Sequence, residues 1–249
     1  MNTRQQMKGV VLAGGSGTRL RPLTEYTNKH LLPVYDKAMI YYPLRTLEQI
    51  GVTEALIVTE ERWIADFEEV LASFDSELTL DTTLAIQTGP GGIVDALIQS
   101  ADFADNSPLA VALGDNIFES PPVKAAEEYM RNPSGASVFL KAVTNPEEFG
   151  VAVMEDDNVT SIIEKPKNPP SNLAVTGLYF FDTTVFERIT KLTPSVRGEL
   201  EITDLNNLYL QDRQLAAHEI DGWWCDCGTF DSLVRASALL AGHQLEQVG

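Results

Sequence analysis

Two kinds of apolar run alternate along this chain, and that alternation limits the fold more than any other feature. Continuous runs such as Val10-Val11-Leu12, Leu56-Ile57-Val58 and Leu109-Ala110-Val111-Ala112-Leu113 are separated by stretches patterned for helices, 40–50, 64–73 and 93–103. A strand that is apolar at every position is buried on both faces, as happens when helices cover both sides of a parallel sheet. The βαβα order therefore predicts an α/β fold with a mostly parallel sheet flanked by helices, its strands over 8–13, 55–59, 83–87 and 109–113. From 136 to 182 the pattern changes to closely spaced β runs broken by Asn-Pro, Asp-Asp-Asn and Asn-Pro-Pro, which predicts a smaller antiparallel lobe built onto the first sheet. A closing helix is expected over 231–247, with Asp231 as its candidate N-cap. At 249 residues, 44% of them hydrophobic, and with no linker or low-complexity tract, the chain is expected to form a single domain.

The first strand runs straight into Leu12-Ala13-Gly14-Gly15-Ser16-Gly17-Thr18-Arg19, and Lys29 follows in Thr27-Asn28-Lys29-His30. Glycines let the backbone turn sharply and bring N–H groups to phosphate oxygens, while Arg19 and Lys29 add charge where a leaving pyrophosphate would gather. No Lys-Ser or Lys-Thr pair follows Gly17, which excludes the P-loop pattern. Leu20 stands where the dinucleotide fingerprint needs its third glycine, which disfavours a nicotinamide dehydrogenase. Alone, such a loop is equally a structural turn. Gly114-Asp115-Asn116, directly after a strand, occupies the position where open α/β sheets bind ligands, although the same triplet is often a plain turn. Asp226 lies between Trp223-Trp224-Cys225 and Cys227-Gly228, apolar surroundings in which a carboxylate needs a metal or another partner.

Thirty-six acidic against eighteen basic residues leave a formal charge of −18, which argues against general affinity for nucleic acid or an anionic membrane. No apolar run approaches the ~20 residues that cross a bilayer, so a soluble, cytoplasmic protein is expected. The two cysteines, Cys225 and Cys227, are read as reduced, partly buried thiols, because neighbours this close strain a disulfide and two sulfurs do not complete a zinc site.

Together with the glycine loop, six further segments occur in an order that resembles the sugar-1-phosphate nucleotidylyltransferase family from Met7 to about Leu240. They are Tyr35-Asp36-Lys37-Ala38-Met39-Ile40-Tyr41-Tyr42-Pro43, Gly114-Asp115-Asn116-Ile117-Phe118, Glu164-Lys165-Pro166, Val175-Thr176-Gly177-Leu178-Tyr179, Arg197-Gly198-Glu199-Leu200-Glu201-Ile202-Thr203-Asp204 and Trp224-Cys225-Asp226-Cys227-Gly228-Thr229. The likeness is greatest to the short, thymidylyl-transferring members. It implies a Rossmann-like sheet whose first half, 1–135, binds the nucleotide, while 136–249 forms the sugar-binding lobe and closing helix. It implies Mg²⁺-dependent condensation of a sugar 1-phosphate, glucose 1-phosphate foremost, with dTTP or UTP, giving a nucleotide sugar and pyrophosphate, and a homo-oligomer.

Residue by residue, the resemblance gives Leu12, Gly14, Gly15, Gly17, Thr18, Gln87 and Gly92 to the nucleotide, with the Gln87 amide on the base edge. Arg19, Lys29 and Lys165 become the catalytic cations; Gly150, Glu164, Lys165, Val175 and Arg197 the sugar 1-phosphate site; and Asp115 and Asp226 the Mg²⁺ ligands. A phosphate oxygen is already anionic at neutral pH, so neither a general base nor a covalent intermediate is needed, and His30 is read as structural or phosphate-proximal. The chain departs from the family in four places. It stops short of the extension of longer members, which puts feedback through a second nucleotide site in doubt; Cys227 stands where Thr is common, His30 where Gln is common, and Gly91-Gly92-Ile93-Val94-Asp95 differs from the usual base-loop sequence, so the resemblance fixes the reaction type more firmly than the base and sugar. Rival readings are a uridylyl- or cytidylyltransferase on the same fold and a noncatalytic nucleotide-sugar sensor.

Overall fold

The structure, a computed structural model, describes residues 6–74, 76–88, 92–156, 158–195 and 198–248, for 243–248 the backbone alone. In chain order its elements are β1 (Lys8–Leu12), β2 (Pro33–Val34), β3 (Lys37–Ala38), α1 (Tyr41–Gln49), β4 (Glu54–Thr59), α2 (Ile64–Ala72), β5 (Asp81–Ile86), α3 (Gly92–Ile98), α4 (Ala101–Ala104), β6 (Leu109–Leu113), β7 (Asn116–Phe118), α5 (Val123–Tyr129), β8 (Ala136–Ala142), β9 (Gly150–Glu155), β10 (Asn158–Glu164), β11 (Leu173–Phe181), α6 (Val185–Ile189), α7 (Ile202–Gln211), β12 (Leu215–Glu219), β13 (Trp224–Asp226) and α8 (Phe230–Val248).

Strands β5, β4, β1 and β6 lie side by side in that order and all parallel. Along β1, Val10 and Leu12 enter one core with Val58, Val111 and Phe181, while Val11 enters the other with Ile57, Leu44 and Phe180. This two-sided burial is why these strands are apolar throughout instead of alternating. The chain leaves β1 on one side toward β4 and returns on the other as β6, so a crevice opens between the carboxyl ends of β1 and β6, the switch point where such sheets take ligands.

The second half joins the same sheet through β11. Its end, Leu178–Phe181, runs antiparallel to β6; Ala174, near its start, pairs with Val151 of β9, and β8 lies along its other edge. The register of β11 against β8 shifts between Val175 and Tyr179, a bulge that bends the strand where it passes from one partner to the other. The antiparallel lobe is thus an extension of the parallel sheet, with β12 added parallel to β8.

Two local expectations are corrected. The helix expected over 93–103 is two helices, because buried Ser100 donates its hydroxyl to the Leu97 carbonyl and ends α3. Asp231 does not cap α8. Thr229 does: its Oγ1 accepts the Ser232 N–H at 3.2 Å, and the Ser232 hydroxyl accepts the Thr229 N–H at 3.0 Å, a reciprocal capping box that leaves Asp231 in the first turn.

Candidate active site

The glycine loop leaves β1 at the crevice. The Leu12 carbonyl accepts the Gly114 N–H, so the loop after β1 and the turn after β6 are tied at their roots. Ala13 donates to Val58 O, and its carbonyl accepts from the Thr59 hydroxyl and the Asn28 amide. Gly15 and Gly17 adopt left-handed φ values of 96° and 57°, which a side chain would strain. Gly14 is glycine for another reason: a Cβ there would fall 1.8 Å from Gln87 Oε1, so the amide that ends β5 lies directly over the loop. Thr18 and Arg19 follow in a short turn whose buried Leu20 anchors it to the core.

Lys29 and Asp115 meet across the crevice, Nζ to Oδ2 at 2.5 Å. The other carboxylate oxygen, Oδ1, accepts the Asn116 amide at 3.0 Å. Asp226 arrives from the far end of the chain because β13 pairs with β7, Asp226 opposite Asn116, and the Cys227 N–H donates to the Asp115 carbonyl. Asp226 Oδ1 is buried and has no hydrogen-bond partner. A Cβ on Gly228 would lie 2.6 Å from Arg19 Nη2 and 2.8 Å from Asp226 Oδ1, so guanidinium and carboxylate share the space that this glycine leaves open.

The electrostatics follow from this packing. Burial first, then the Asp115 carboxylate, push Asp226 up to about 6. Burial alone would also raise Asp115, but Lys29 outweighs it and holds that carboxyl well below the usual range. Burial alone would lower Lys29; Asp115 reverses this and raises it. An unpartnered carboxylate oxygen beside a second carboxylate fits a hard divalent cation, and Mg²⁺ characteristically takes one or two protein carboxylates and completes its shell with phosphate oxygens and water. Among the described residues no cluster of three or more His, Cys, Asp or Glu offers a fuller cage.

His30 is buried against Gly114, where a Cβ would come within 2.6 Å of its ring. Asn28 Oδ1 accepts both the His30 backbone N–H and ring Nδ1, which assigns the ring proton to Nδ1. Burial, then Lys29, push its pKa down to about 3, so the imidazole is neutral.

On the other side, Glu164 ends β10 in register with Gly150 of β9. Thr203, in the first turn of α7, donates its hydroxyl to Glu164 Oε2 at 2.6 Å, and a Cβ on Gly150 would press on that hydroxyl at 3.2 Å. Lys165 has a φ of +42°, unusual for a side chain that is not glycine, and its N–H donates to Phe149 O. Such conformations cost on the order of 1–3 kcal/mol and gather at ligand sites. Val175 is buried on β11 just before the bulge. A cavity of about 720 Å³ is lined by Arg19, Lys165 and Asp226 with Phe149 and Trp224. Gly92 opens α3 with Glu199 against it. Arg197 and the base-loop residues 89–91 lie outside the described residues.

Residues 8–242 match the Nucleotidyl transferase family. The chain belongs to this family. As a nucleotidyltransferase it is 41% identical over 244 residues to the glucose-1-phosphate thymidylyltransferase of Mycolicibacterium smegmatis, covering 97% of this chain and 84% of the relative. It is 42% identical over 238 residues to the enzyme of the same name from Neisseria meningitidis, covering 94% and 82%. A crystal structure described as a glucose-1-phosphate thymidylyltransferase from Bacillus anthracis superposes with a TM-score of 0.88 at 46% identity, covering 94% of each chain. A UDP-glucose pyrophosphorylase complexed with UDP-glucose superposes at 0.84 with 25% identity, covering 96% of this chain and 99% of the other.

This nucleotidyltransferase also holds groups to which the sequence alone assigns no role. Buried Asn116 accepts the Gly177 N–H at the β11 bulge and the Trp224 indole N–H while donating to Asp115, so one amide ties two remote segments to the carboxylate. Thr203 and Gly228 do comparable work for Glu164 and Asp226. Each stands inside a recognisable motif, but its partner is remote in sequence and no local signal names it.

Proposed function

We propose that this enzyme condenses dTTP with glucose 1-phosphate to give a dTDP-sugar and pyrophosphate, with UTP as a slower second donor. The observation that carries the reading is the convergence of Asp115, Asp226, Arg19 and Lys29 at the carboxyl ends of β1 and β6. In this reading Asp115 and Asp226 would hold Mg²⁺, which supplies charge neutralisation between two anionic substrates. Arg19 and Lys29 receive the charge that grows on the leaving pyrophosphate, and Lys165 grips the sugar phosphate so that its oxygen lies in line with the α-phosphorus. Glu164, oriented by the Thr203 hydroxyl on its Oε2, accepts from sugar hydroxyls beside the Gly150 backbone and Val175. Gln87 offers both donor and acceptor to a pyrimidine imide. No proton transfer is assigned, and His30, its pKa pushed down to about 3 by burial and then Lys29, is too weak a base to supply one.

The division of labour we propose places the nucleotide on 1–135 and the sugar on 136–249. The strongest alternative donor is UTP, favoured by the likeness to the UDP-glucose complex. Pyrophosphate release measured over a matrix of dTTP, UTP and CTP against several sugar 1-phosphates tests the proposal. A methyl-sized contact is worth only about 1–3 kcal/mol, so dTTP should lead UTP modestly, while CTP, with a donor where the imide has an acceptor, should be rejected strongly. A preference for CTP would overturn the base assignment, and tight binding without any pyrophosphate release would make the protein a sensor.

A further inference from the structure

Lys165 stands directly before Pro166, and a proline ring pushes the residue ahead of it toward extended backbone with negative φ. Its φ is nevertheless +42°. A conformation that both the side chain and the following proline resist persists only where the surroundings over-determine it. The ammonium does not supply that hold: Nζ lies 3.8 Å from Glu164 Oε1, beyond hydrogen-bonding distance, and the side chain is half exposed. The aim of this cation therefore rests on its backbone.

That backbone is held by Phe149. Glu164 and Gly150 pair at the end of β10 and the start of β9, and one step beyond them the Lys165 N–H donates to the Phe149 carbonyl at 3.0 Å. Phe149 is fixed from two sides. Its own N–H closes a short turn onto the Pro146 carbonyl, and its ring packs edge-on against Trp224, centroids 5.1 Å apart. Trp224 is buried, and its indole N–H donates to Asn116 Oδ1 at 2.7 Å, while the Asn116 amide donates to Asp115 Oδ1 at 3.0 Å. Carbonyl, ring, indole and amide thus form an unbroken series of contacts from the backbone of Lys165 to the carboxylate of Asp115.

We propose that Phe149 is a positioning residue: braced by Trp224, its carbonyl keeps Lys165 in the left-handed conformation and so sets where the sugar phosphate lies relative to Asp115. Phe149 touches no reacting atom in this scheme and acts only through Lys165. A leucine at 149 keeps the carbonyl and the apolar character but loses the ring, and with it the edge that Trp224 holds. The backbone of Lys165 then relaxes toward the extended region that its proline favours, and Nζ swings away from the phosphate. The inference rests on the assignment of Lys165 to the sugar phosphate, and its test separates the two.

The experiment is calorimetric titration of the full chain with glucose 1-phosphate alone and, separately, with dTTP. Phe149→Leu should weaken glucose 1-phosphate binding by about tenfold or more, the cost of a misplaced charged hydrogen bond, and leave dTTP binding within about twofold. Phe149→Tyr, which restores the ring, should recover the sugar phosphate. A residue that merely supports the fold would not respect that split, so equal losses for both ligands, or unchanged glucose 1-phosphate affinity in Phe149→Leu, would overturn the proposal. Should the leucine variant fail to fold, the ¹⁵N–¹H spectrum of the unaltered protein decides. The Trp224 indole signal, assigned by its loss in Trp224→Phe, should shift as glucose 1-phosphate fills its site, and an unmoved signal at saturation overturns the inference. Failure of the unaltered protein to bind any sugar 1-phosphate would remove the proposed acceptor as well, whereas binding indifferent to residue 149 removes this inference alone.

Discussion

Lys29 Nζ lies 2.5 Å from Asp115 Oδ2, so a cation assigned to the leaving pyrophosphate and a carboxylate assigned to a metal neutralise each other across the crevice. Both side chains are largely buried, which makes the pair costly to break from one side: an isolated charge would remain where water cannot reach it. Asp115→Asn is therefore expected to lower kcat by on the order of 10² or more and to destabilise the fold by about 3 kcal/mol. In urea denaturation, Lys29→Met combined with Asp115→Asn should be less destabilised than the sum of the single changes. Strict additivity would show that the two charges do not depend on each other.

Gly14→Ala should act through Gln87. The new Cβ would meet the Gln87 amide oxygen at 1.8 Å and push the side chain off the loop. The KM for the nucleoside triphosphate is expected to rise by about 5- to 150-fold, since a lost hydrogen bond to a buried base edge costs about 1–3 kcal/mol. The KM for the sugar 1-phosphate should move little. Steady-state kinetics with each substrate varied in turn checks the split.

Lys165→Ala separates the two anion sites. Lys165 stands on the lobe side of the cavity beside Glu164, its Nζ 3.8 Å from Glu164 Oε1, whereas Lys29 pairs with Asp115 in the crevice. Calorimetric titrations should show sugar 1-phosphate binding weakened far more than triphosphate binding. Equal losses would mean that the cations form one undifferentiated patch.

His30 makes a prediction about pH. Its pKa is pushed down to about 3 in the folded protein, below the ordinary 6.5. Between those values the unfolded chain binds the proton and the folded one does not, so stability falls as pH drops below 6.5. From this one group the slope should approach about 1.4 kcal/mol per pH unit. His30→Gln removes the titration, and its urea stability should vary less between pH 7.5 and pH 5 than that of the unaltered protein. Parallel pH profiles for the two proteins would contradict the buried neutral imidazole.

Much of the fold was legible in the sequence because the signals that carry it are local. Uninterrupted apolar runs report two-sided burial, and Val10, Val11 and Leu12 do divide between two cores. A glycine loop after a strand, or an acidic turn after another, occupies a predictable end of a parallel sheet, which is why Gly14 and Asp115 could be singled out from neighbours alone. Local signals also misled where a side chain could compete for the backbone: Ser100 ended a helix that periodicity continued, and Thr229 took the cap expected of Asp231.

Tertiary structure alone decided who meets whom. Asp226 reaches Asp115 because β13 pairs with β7, Glu164 is held by Thr203 of α7, and Asn116 touches both the β11 bulge and Trp224. Strand pairing has a period of two residues, so a slip of one position would turn each of these side chains to the opposite face. No short stretch of sequence encodes that register. It is set by the joint burial of both sheet faces and by the need to satisfy every polar group enclosed between them.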